Sequence, residues 1–187
     1  MPSTYAHYRM GQEVLEQVSD PARSIIMKHK QLYDIGLHGP DILFYYHPLG
    51  TNPVNAIGYG LHERSGKYFF GKAAEIIEKA HDKEAALAYI YGFICHFALD
   101  STCHGYIDEK IAQSDVSHTE IEVEFDRSLM IEDGKDPVRQ ELTKHIVPSM
   151  ENAEVIAHFF PGTKPKQVKK ALKGMIRNNQ LLLAPSG

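Results

Sequence analysis

The sequence is poor in the features that mark secreted and membrane proteins. It has two cysteines, Cys95 and Cys103, on one predicted helix, so a disulfide framework is not expected and both thiols are interpreted as packing residues. No segment approaches the roughly 18 consecutive apolar residues of a membrane-spanning helix. The first residues, MPSTYAHYRMGQEVLEQ, lack a basic stretch followed by an apolar run. These absences predict a cytoplasmic protein without a transmembrane anchor.

Charge of one sign is not in large excess either. The chain carries 20 basic and 24 acidic residues, a formal net charge of −4, which gives no global attraction to nucleic acid or to anionic lipid. The sequence has no specific nucleic-acid signature, and an anionic substrate would need a local source of positive charge such as metal ions. Histidine, by contrast, is abundant, because 11 of 187 residues exceeds the content of a typical soluble protein.

Alternation of apolar and polar residues, the mark of strands, is missing, whereas helical spacing of apolar residues recurs along the chain. We expect one all-α domain over residues 1–187, a bundle of about six helices with a metal cluster between them. The predicted helices cover about 11–32 with a break at Pro21, 54–79, 82–107, a segment from Ser114 or Ser117 to Met130, 137–160 and 166–183. The Gly- and Pro-rich stretch 34–55 is predicted to be a loop with a short apolar turn at 42–46.

Three metal-binding side chains interrupt the most apolar of these helices. In CHFALDSTCH, His96, Asp100 and His104 follow at four-residue intervals and therefore lie along one stripe of the helix. His118 and Glu122 repeat this spacing on the next predicted helix. One explanation is that the histidines are core residues paired with carboxylates. However, burying these groups costs several kcal/mol unless they are paired or bind a cation. The combined pattern favours a metal site, and its donors suit Zn²⁺, with Mn²⁺ or Fe²⁺ compatible.

The same residues belong to a longer ordered pattern, which resembles the zinc-dependent phospholipase C family. That family is related in fold to the single-strand-specific nucleases with three zinc ions. The resemblance is carried by Tyr5-Ala6-His7, Gly39-Pro40-Asp41, His96-Phe97-Ala98-Leu99-Asp100, His104 and His118-Thr119-Glu120-Ile121-Glu122. These pieces span most of the chain up to about residue 126, and the C-terminal third carries no matching motif. The resemblance implies a helical bundle that holds two or three divalent metal ions, zinc first among them.

The resemblance also implies roles for individual residues. His96 and Asp100 match the HxxxD motif of the family, in which the aspartate bridges two metals. His104, His118 and Glu122 match the ligands of the remaining metal.

Three further ligands lie outside these two helices. His7 matches the early histidine that binds one metal of the bridged pair, and Asp41 matches the loop aspartate that holds the nucleophilic water and is a proposed general base. One more histidine is needed. We favour His62, at the start of a helical stretch, over His47, which follows the loop directly.

The sequence departs from the family pattern in two respects. Secreted members begin with a tryptophan whose amino group and carbonyl bind metal, but this chain contains no tryptophan. If the initiator methionine is removed, the Pro2 amine is a candidate for that place. In addition, the four-residue step from Asp100 to His104 is shorter than in the family.

The implied activity is hydrolysis of a phosphodiester, in a phospholipid or another substrate, by in-line attack of water activated by the metals. A nuclease-type phosphodiesterase is the first alternative. A catalytically inactive metal-binding or structural protein and a metal-free helical interaction module are the others.

Other features keep two interpretations. The aromatic side chains at 45, 46, 68, 69 and 70 either fill the core or line a substrate pocket. The basic segment KPKQVKKALKGMIR either contacts anionic lipid or nucleic acid or forms a solvated helix face. Structural roles are expected for the histidines without a partner four residues away in an apolar run: His29, His38, His81, His145 and His158.

Overall fold

The computed structural model describes residues 4–113 and 116–183, and within these ranges the chain is helical and has no strand. The helices there are α1 (Thr4–Gln17), α2 (Ala22–Lys28), α3 (Lys30–Gly36), a 3₁₀ helix (Gly39–Tyr45), α4 (Pro53–His62), α5 (Gly66–Lys79), α6 (Lys83–Gln113), α7 (His118–Glu132), α8 (Met150–Ala157) and α9 (Pro165–Leu181). The predicted all-α class is confirmed. Among these helices none combines the length and apolar character needed to cross a bilayer. Pro2 and Ser114 lie outside the described residues.

The described ranges contain more helices than the six predicted, because turns and caps divide the predicted segments. The first predicted helix is interrupted after Gln17 and again at His29. Within the predicted helix 54–79, the hydroxyl of Ser65 accepts a hydrogen bond from the Lys67 amide and opens α5. The predicted loop 34–55 contains the end of α3 and the 3₁₀ helix.

The predicted helix 137–160 is wrong over its first half. Residues 137–149 form turns and irregular backbone, and α8 begins only at Met150. Ser149 marks the start, since its hydroxyl accepts a hydrogen bond from the Asn152 amide at 3.0 Å.

The long helix α6 is the centre of the bundle, and α3 crosses it in direct backbone contact. A Cβ atom at Gly92 would overlap the carbonyl oxygen of Tyr33, and one at Gly36 would overlap the carbonyl oxygen of Tyr89. Glycine at both positions therefore permits the approach. This crossing places the chain that leaves α3 against the next turn of α6, where His96 lies.

The 3₁₀ helix that follows also touches α6 through a glycine. Gly39 has a φ of +48°, which glycine adopts readily, and a Cβ atom there would overlap the ring of His96. The Gly-Pro-Asp sequence therefore brings Asp41 beside His96.

Helix α9 packs against α8 and the 3₁₀ helix. Its buried face consists of Val168, Ala171, Leu172 and Met175. On the same side, Gly174 allows the helix to approach the carbonyl oxygen of Tyr45. The exposed face carries the basic residues of the segment noted in the sequence.

The Gly92→Ala substitution tests the close crossing of α3 and α6. We expect it to lower the free energy of unfolding by about 1–3 kcal/mol, because the added methyl group overlaps the Tyr33 carbonyl. The control is Gly71→Ala on the exposed face of α5, where nothing lies within 4 Å of the new methyl group. This change should raise the free energy of unfolding by about 0.5–1 kcal/mol. Urea unfolding followed by circular dichroism measures both, and an unchanged midpoint for Gly92→Ala contradicts the crossing.

Candidate metal centre

Five of the residues predicted as ligands meet where α1, the 3₁₀ helix, α4 and α6 come together. His7 lies on α1, Asp41 on the 3₁₀ helix, His62 at the end of α4, and His96 and Asp100 on α6. Their ligand atoms form two overlapping groups, each within 4.8 Å: His7, Asp41 and His96, and His62, His96 and Asp100. Each group could hold a metal ion.

The Asp100 carboxylate is the hub of these contacts. Its Oδ1 lies 3.4 Å from Nε2 of His7, and its Oδ2 lies 3.4 Å from Nε2 of His96 and 3.7 Å from Nε2 of His62. Asp41 joins through a 3.0 Å contact between its Oδ1 and Nε2 of His62. The rings of His7 and His96 stack with centroids 4.3 Å apart.

The centre contains buried polar atoms that the described residues leave without a hydrogen bond. They are His7 Nδ1, His7 Nε2, Asp41 Oδ1, His62 Nε2, His96 Nδ1 and Asp100 Oδ1. The 3.0 Å contact of Asp41 with His62 and the 3.4 Å contact of His7 with Asp100 are ion-pair contacts without the geometry of a hydrogen bond. Unsatisfied polar atoms in a protein interior are costly, and a bound cation removes the cost for those that can coordinate it. Imidazole nitrogen and carboxylate oxygen are also the donors that Zn²⁺ accepts. The residues present therefore fit the zinc that the sequence predicts.

The charge states of His96 and Asp100 suit metal binding. Burial lowers the pKa of His96 to about 4, with the neighbouring His7 adding to the effect, so its imidazole is neutral at pH 7. Burial alone would raise the pKa of Asp100, but the contacts with His7 and His96 lower it below its ordinary value. Neutral imidazole and ionised carboxylate are the forms that coordinate metals.

The other three predicted ligands lie on α6 and α7 and are less closely gathered. Nε2 of His118 lies 2.7 Å from Oε1 of Glu122, and the rings of His104 and His118 have centroids 6.2 Å apart. The start of α7 is fixed just before His118, because the Ser117 amide donates to the Glu120 carboxylate at 2.8 Å. Neither of the two compact groups among the described residues includes these three ligands.

His62 and His47, the two candidates for one ligand position, lie in different surroundings. His62 lies in the centre, and its Nδ1 is 2.9 Å from the carbonyl oxygen of Gly58. Burial would lower the pKa of His62, but the contact with Asp41 raises it above its ordinary value. His47 instead lies in an exposed loop, where its Nε2 is 2.8 Å from Nζ of Lys170.

Asp126 is a site residue that the sequence interpretation missed. Its buried carboxylate accepts hydrogen bonds from the amides of Tyr5 and Ala6, both at 2.9 Å. Burial raises the pKa of Asp126 to about 6, against the opposing effect of the two amides. The carboxylate ties the first turn of α1 to α7 and so positions His7. The signal was present, since Asp126 follows Glu122 by four residues, the spacing already noted for His118 and Glu122.

Two histidines expected to have structural roles pair with each other. Nε2 of His38 lies 2.7 Å from Nε2 of His145, and the His145 ring stacks on Tyr8 at 4.0 Å. Burial lowers the pKa of His145 to about 3, and burial together with His145 lowers the pKa of His38 well below its ordinary value. Both rings are therefore neutral at pH 7. None of the five histidines predicted to be structural belongs to either of the two compact ligand groups.

A smaller and a larger cavity adjoin the ligands. The smaller cavity has a volume of about 230 Å³ and is lined by the predicted ligands His62, His96, Asp100 and His104. Its other walls include Arg64 and the phenylalanines at 69, 70, 93 and 97. The larger, about 610 Å³, is reached by His7, Asp41 and Glu122. Phe69 and Phe70 pack in the hydrophobic core and also line the smaller cavity, so their core role is confirmed and a role in a substrate pocket stays a prediction.

Comparison with known proteins gives one family. The family model described as zinc dependent phospholipase C matches residues 6–174. No curated protein and no solved structure is similar enough to the chain to count as a match.

Zinc content tests the placement of the two competing histidines. We expect His62→Ala to lose about one equivalent of bound zinc and to melt at a lower temperature, because a bound metal stabilises the folded chain. His47→Ala is the matched control and should keep the zinc content of the unmodified protein. Elemental analysis of dialysed protein measures the first effect and thermal unfolding the second. Loss of zinc from His47→Ala but not from His62→Ala would reverse the assignment.

The His38–His145 pair predicts a loss of stability in acid. In the unfolded chain each histidine takes up a proton below about pH 6.5, whereas the folded pair does not. Stability is therefore complete above that pH and falls as the pH is lowered towards about 3, the pKa of His145. His145→Gln should make the fall shallower by about 1.4 kcal/mol per pH unit. The control is His158→Gln, at an exposed position, which should leave the slope unchanged. Urea unfolding at a series of pH values gives the slopes, and equal slopes for both variants contradict the prediction.

Proposed function

Because the chain belongs to the zinc-dependent phospholipase C family, we propose that it hydrolyses a phosphodiester bond of a phospholipid. The observation that carries this proposal is the convergence of five imidazole and carboxylate side chains from four helical elements. Their buried and unpaired polar atoms support a site built for cations. The family points to zinc as the cation and to phosphodiester hydrolysis as the reaction.

The ligand sets follow from the distances. His7, Asp41 and His96 form one set, and His62, His96 and Asp100 form the other. His104, His118 and Glu122 are the ligands that the family resemblance implies for a further ion. Zinc held by such ligands supplies positive charge to the phosphoryl oxygens and makes a nearby water acidic enough to react at neutral pH.

We propose that Asp41 accepts the proton of the attacking water. Its side chain is 18% exposed and lines the larger cavity, so water reaches it. The 3.0 Å contact with His62 orients the carboxylate, and the approach of Gly39 to the His96 ring fixes the 3₁₀ helix that carries it. An ionised carboxylate held in this way can accept the proton that water loses on attack.

Arg64 is our candidate for holding the phosphate. It lines the smaller cavity together with His62 and Asp100, and its guanidinium stacks on the ring of Tyr68 at 5.2 Å. No acidic side chain within the described ranges forms an ion pair with it. A guanidinium at such a position can donate two hydrogen bonds to a phosphate.

The walls of both cavities favour a lipid over a nucleotide. Four phenylalanines line the smaller cavity, and the walls of the larger one include Phe44, Met130, Leu142 and Met175. Apolar walls suit the glycerol and acyl portions of a phospholipid, whereas sequence-tolerant nucleic-acid binding needs a basic groove along the backbone. Each cavity has one arginine and no lysine among its described walls, Arg64 in the smaller and Arg127 in the larger. The cytoplasmic location expected from the sequence stays a prediction.

Hydrolysis assays with the zinc-loaded protein test this function. We expect turnover of phosphatidylcholine and of a soluble chromogenic phosphodiester but not of single-stranded DNA. Asp41→Asn should lower kcat by at least about 100-fold, because the proton acceptor is removed. The matched control is Asp20→Asn, at an exposed position in the turn before α2, which should retain activity.

Each contrary result has a distinct meaning. If zinc-loaded protein hydrolyses none of these substrates, the proposed activity is wrong. Cleavage of the DNA alone would assign the site to a nuclease. Full activity of Asp41→Asn would remove Asp41 from the mechanism, and an unchanged zinc content in that variant would also remove it from the ligand set.

A further inference from the structure

One face of α9 is a continuous basic surface. Its exposed positions Lys166, Lys170, Lys173 and Arg177 follow at steps of four, three and four residues, which places them along one stripe of the helix. We call these four residues the basic stripe. The residues between them on the opposite face, such as Leu172, are buried. The segment that the sequence left between two interpretations is thus an amphipathic helix whose outward side is cationic.

The charge of the stripe is not neutralised by its surroundings. Within the described ranges no acidic side chain forms an ion pair with any of its four members, although 24 acidic residues occur in the chain. A groove of about 720 Å³ runs between the stripe and the loop after the 3₁₀ helix, and no aspartate or glutamate is among the residues that line it. The stripe is therefore a local positive region on a chain of net charge −4.

Aliphatic side chains project at both sides of this groove. Leu49, at the tip of the loop, is fully exposed, and at the end of α9 Leu181 is 72% exposed and Leu182 is 83% exposed. Transfer of such side chains from water into the apolar part of a lipid interface lowers the free energy. Exposed leucines next to lysine and arginine are the composition of interfacial membrane-binding surfaces.

The loop that carries Leu49 is held in place. His47, with a φ of +49°, contacts Nζ of Lys170 through its Nε2 at 2.8 Å. Asn52 donates to the carbonyl oxygen of Tyr46 at 2.8 Å, and Asn55 donates to that of Gly50 at 2.9 Å. These hydrogen bonds fix the exposed leucine beside the stripe before any partner arrives, which reduces the entropy lost on docking.

The groove lies next to the cavity that reaches the metal centre. Tyr45 and Asn178 line both the groove and the 610 Å³ cavity, and Leu182 stands at the side of that cavity. The inner walls of the same cavity include His7 and Asp41. A lipid surface held at the groove would therefore lie close to the cavity that leads to the centre.

We propose that the basic stripe, together with Leu49, Leu181 and Leu182, docks the protein on the surface of an anionic lipid bilayer. The charge of the stripe matches the negative headgroups, and the leucines reach below them. Single-stranded nucleic acid is the less suitable partner, because its binding uses exposed aromatic platforms and the exposed ends here are aliphatic. The link between docking and turnover rests on the proposed function, but docking itself does not.

Sedimentation with lipid vesicles tests the docking surface. The protein should sediment with vesicles of phosphatidylcholine and phosphatidylserine and much less with phosphatidylcholine alone, and high salt should release it. Lys173→Glu combined with Arg177→Glu should lower the partition coefficient at least about tenfold. Lys72→Glu combined with Lys79→Glu on α5 makes the same change in net charge at exposed positions and should stay within about twofold. Leu49→Ser should weaken binding without altering the charge.

The outcomes separate docking from catalysis. Equal losses in the two double variants would show that only net charge matters, and the docking surface would be wrong. It would also be wrong if the unmodified protein failed to bind vesicles, or if it bound a single-stranded oligonucleotide through the stripe and no vesicle. The soluble phosphodiester reports on the metal centre alone. Turnover of that substrate without vesicle binding overturns docking only, and vesicle binding without any turnover overturns the proposed function only.

Discussion

The buried carboxylate of Asp100 is the constraint on which the arrangement of the site depends. An ionised group inside a helical bundle must be surrounded by partners, and Asp100 has three imidazoles within 3.7 Å. These come from α1, α4 and α6, so one charge ties together helices that are distant in sequence. The imidazoles in turn retain unpaired nitrogens. The cluster is therefore only partly satisfied by the protein, which is the condition that favours binding of a cation.

Close backbone packing makes this cluster possible. Gly36 and Gly92 let α3 touch α6, and Gly39 lets the 3₁₀ helix touch the His96 ring. A Cβ atom at any of these positions would overlap the neighbouring element, so the elements that carry Asp41 and the α6 ligands would have to move apart. Asp126 likewise positions a ligand without binding metal. Its two hydrogen bonds hold the first turn of α1, which carries His7. The ligands are thus placed by residues that do not themselves bind metal.

The sequence predicts local features of this site and misses those that depend on tertiary contacts. The spacing of His96 and Asp100 is visible because four-residue steps fall on one face of a helix. The pairing of His38 with His145 joins residues 107 positions apart, and no local pattern encodes it. The segment 137–149 has apolar residues at helical intervals but forms irregular backbone. Pro148 has no amide hydrogen to donate, and His145 pairs with the distant His38.

The distribution of charge explains how an acidic chain can act on an anionic substrate. The carboxylates of the metal centre are enclosed among imidazoles, and because His96 is neutral at pH 7, bound cations would supply the positive charge that a phosphate needs there. The positive charge of the basic stripe is unpaired and lies on the outside, on the far side of a groove and a cavity from the centre. A surface held at the stripe would therefore lie next to the cavity that His7 and Asp41 line. In physiological salt the field of a single charged group is screened within about 8–10 Å. The uneven charge therefore orients the protein on a nearby surface and does not attract that surface from a distance.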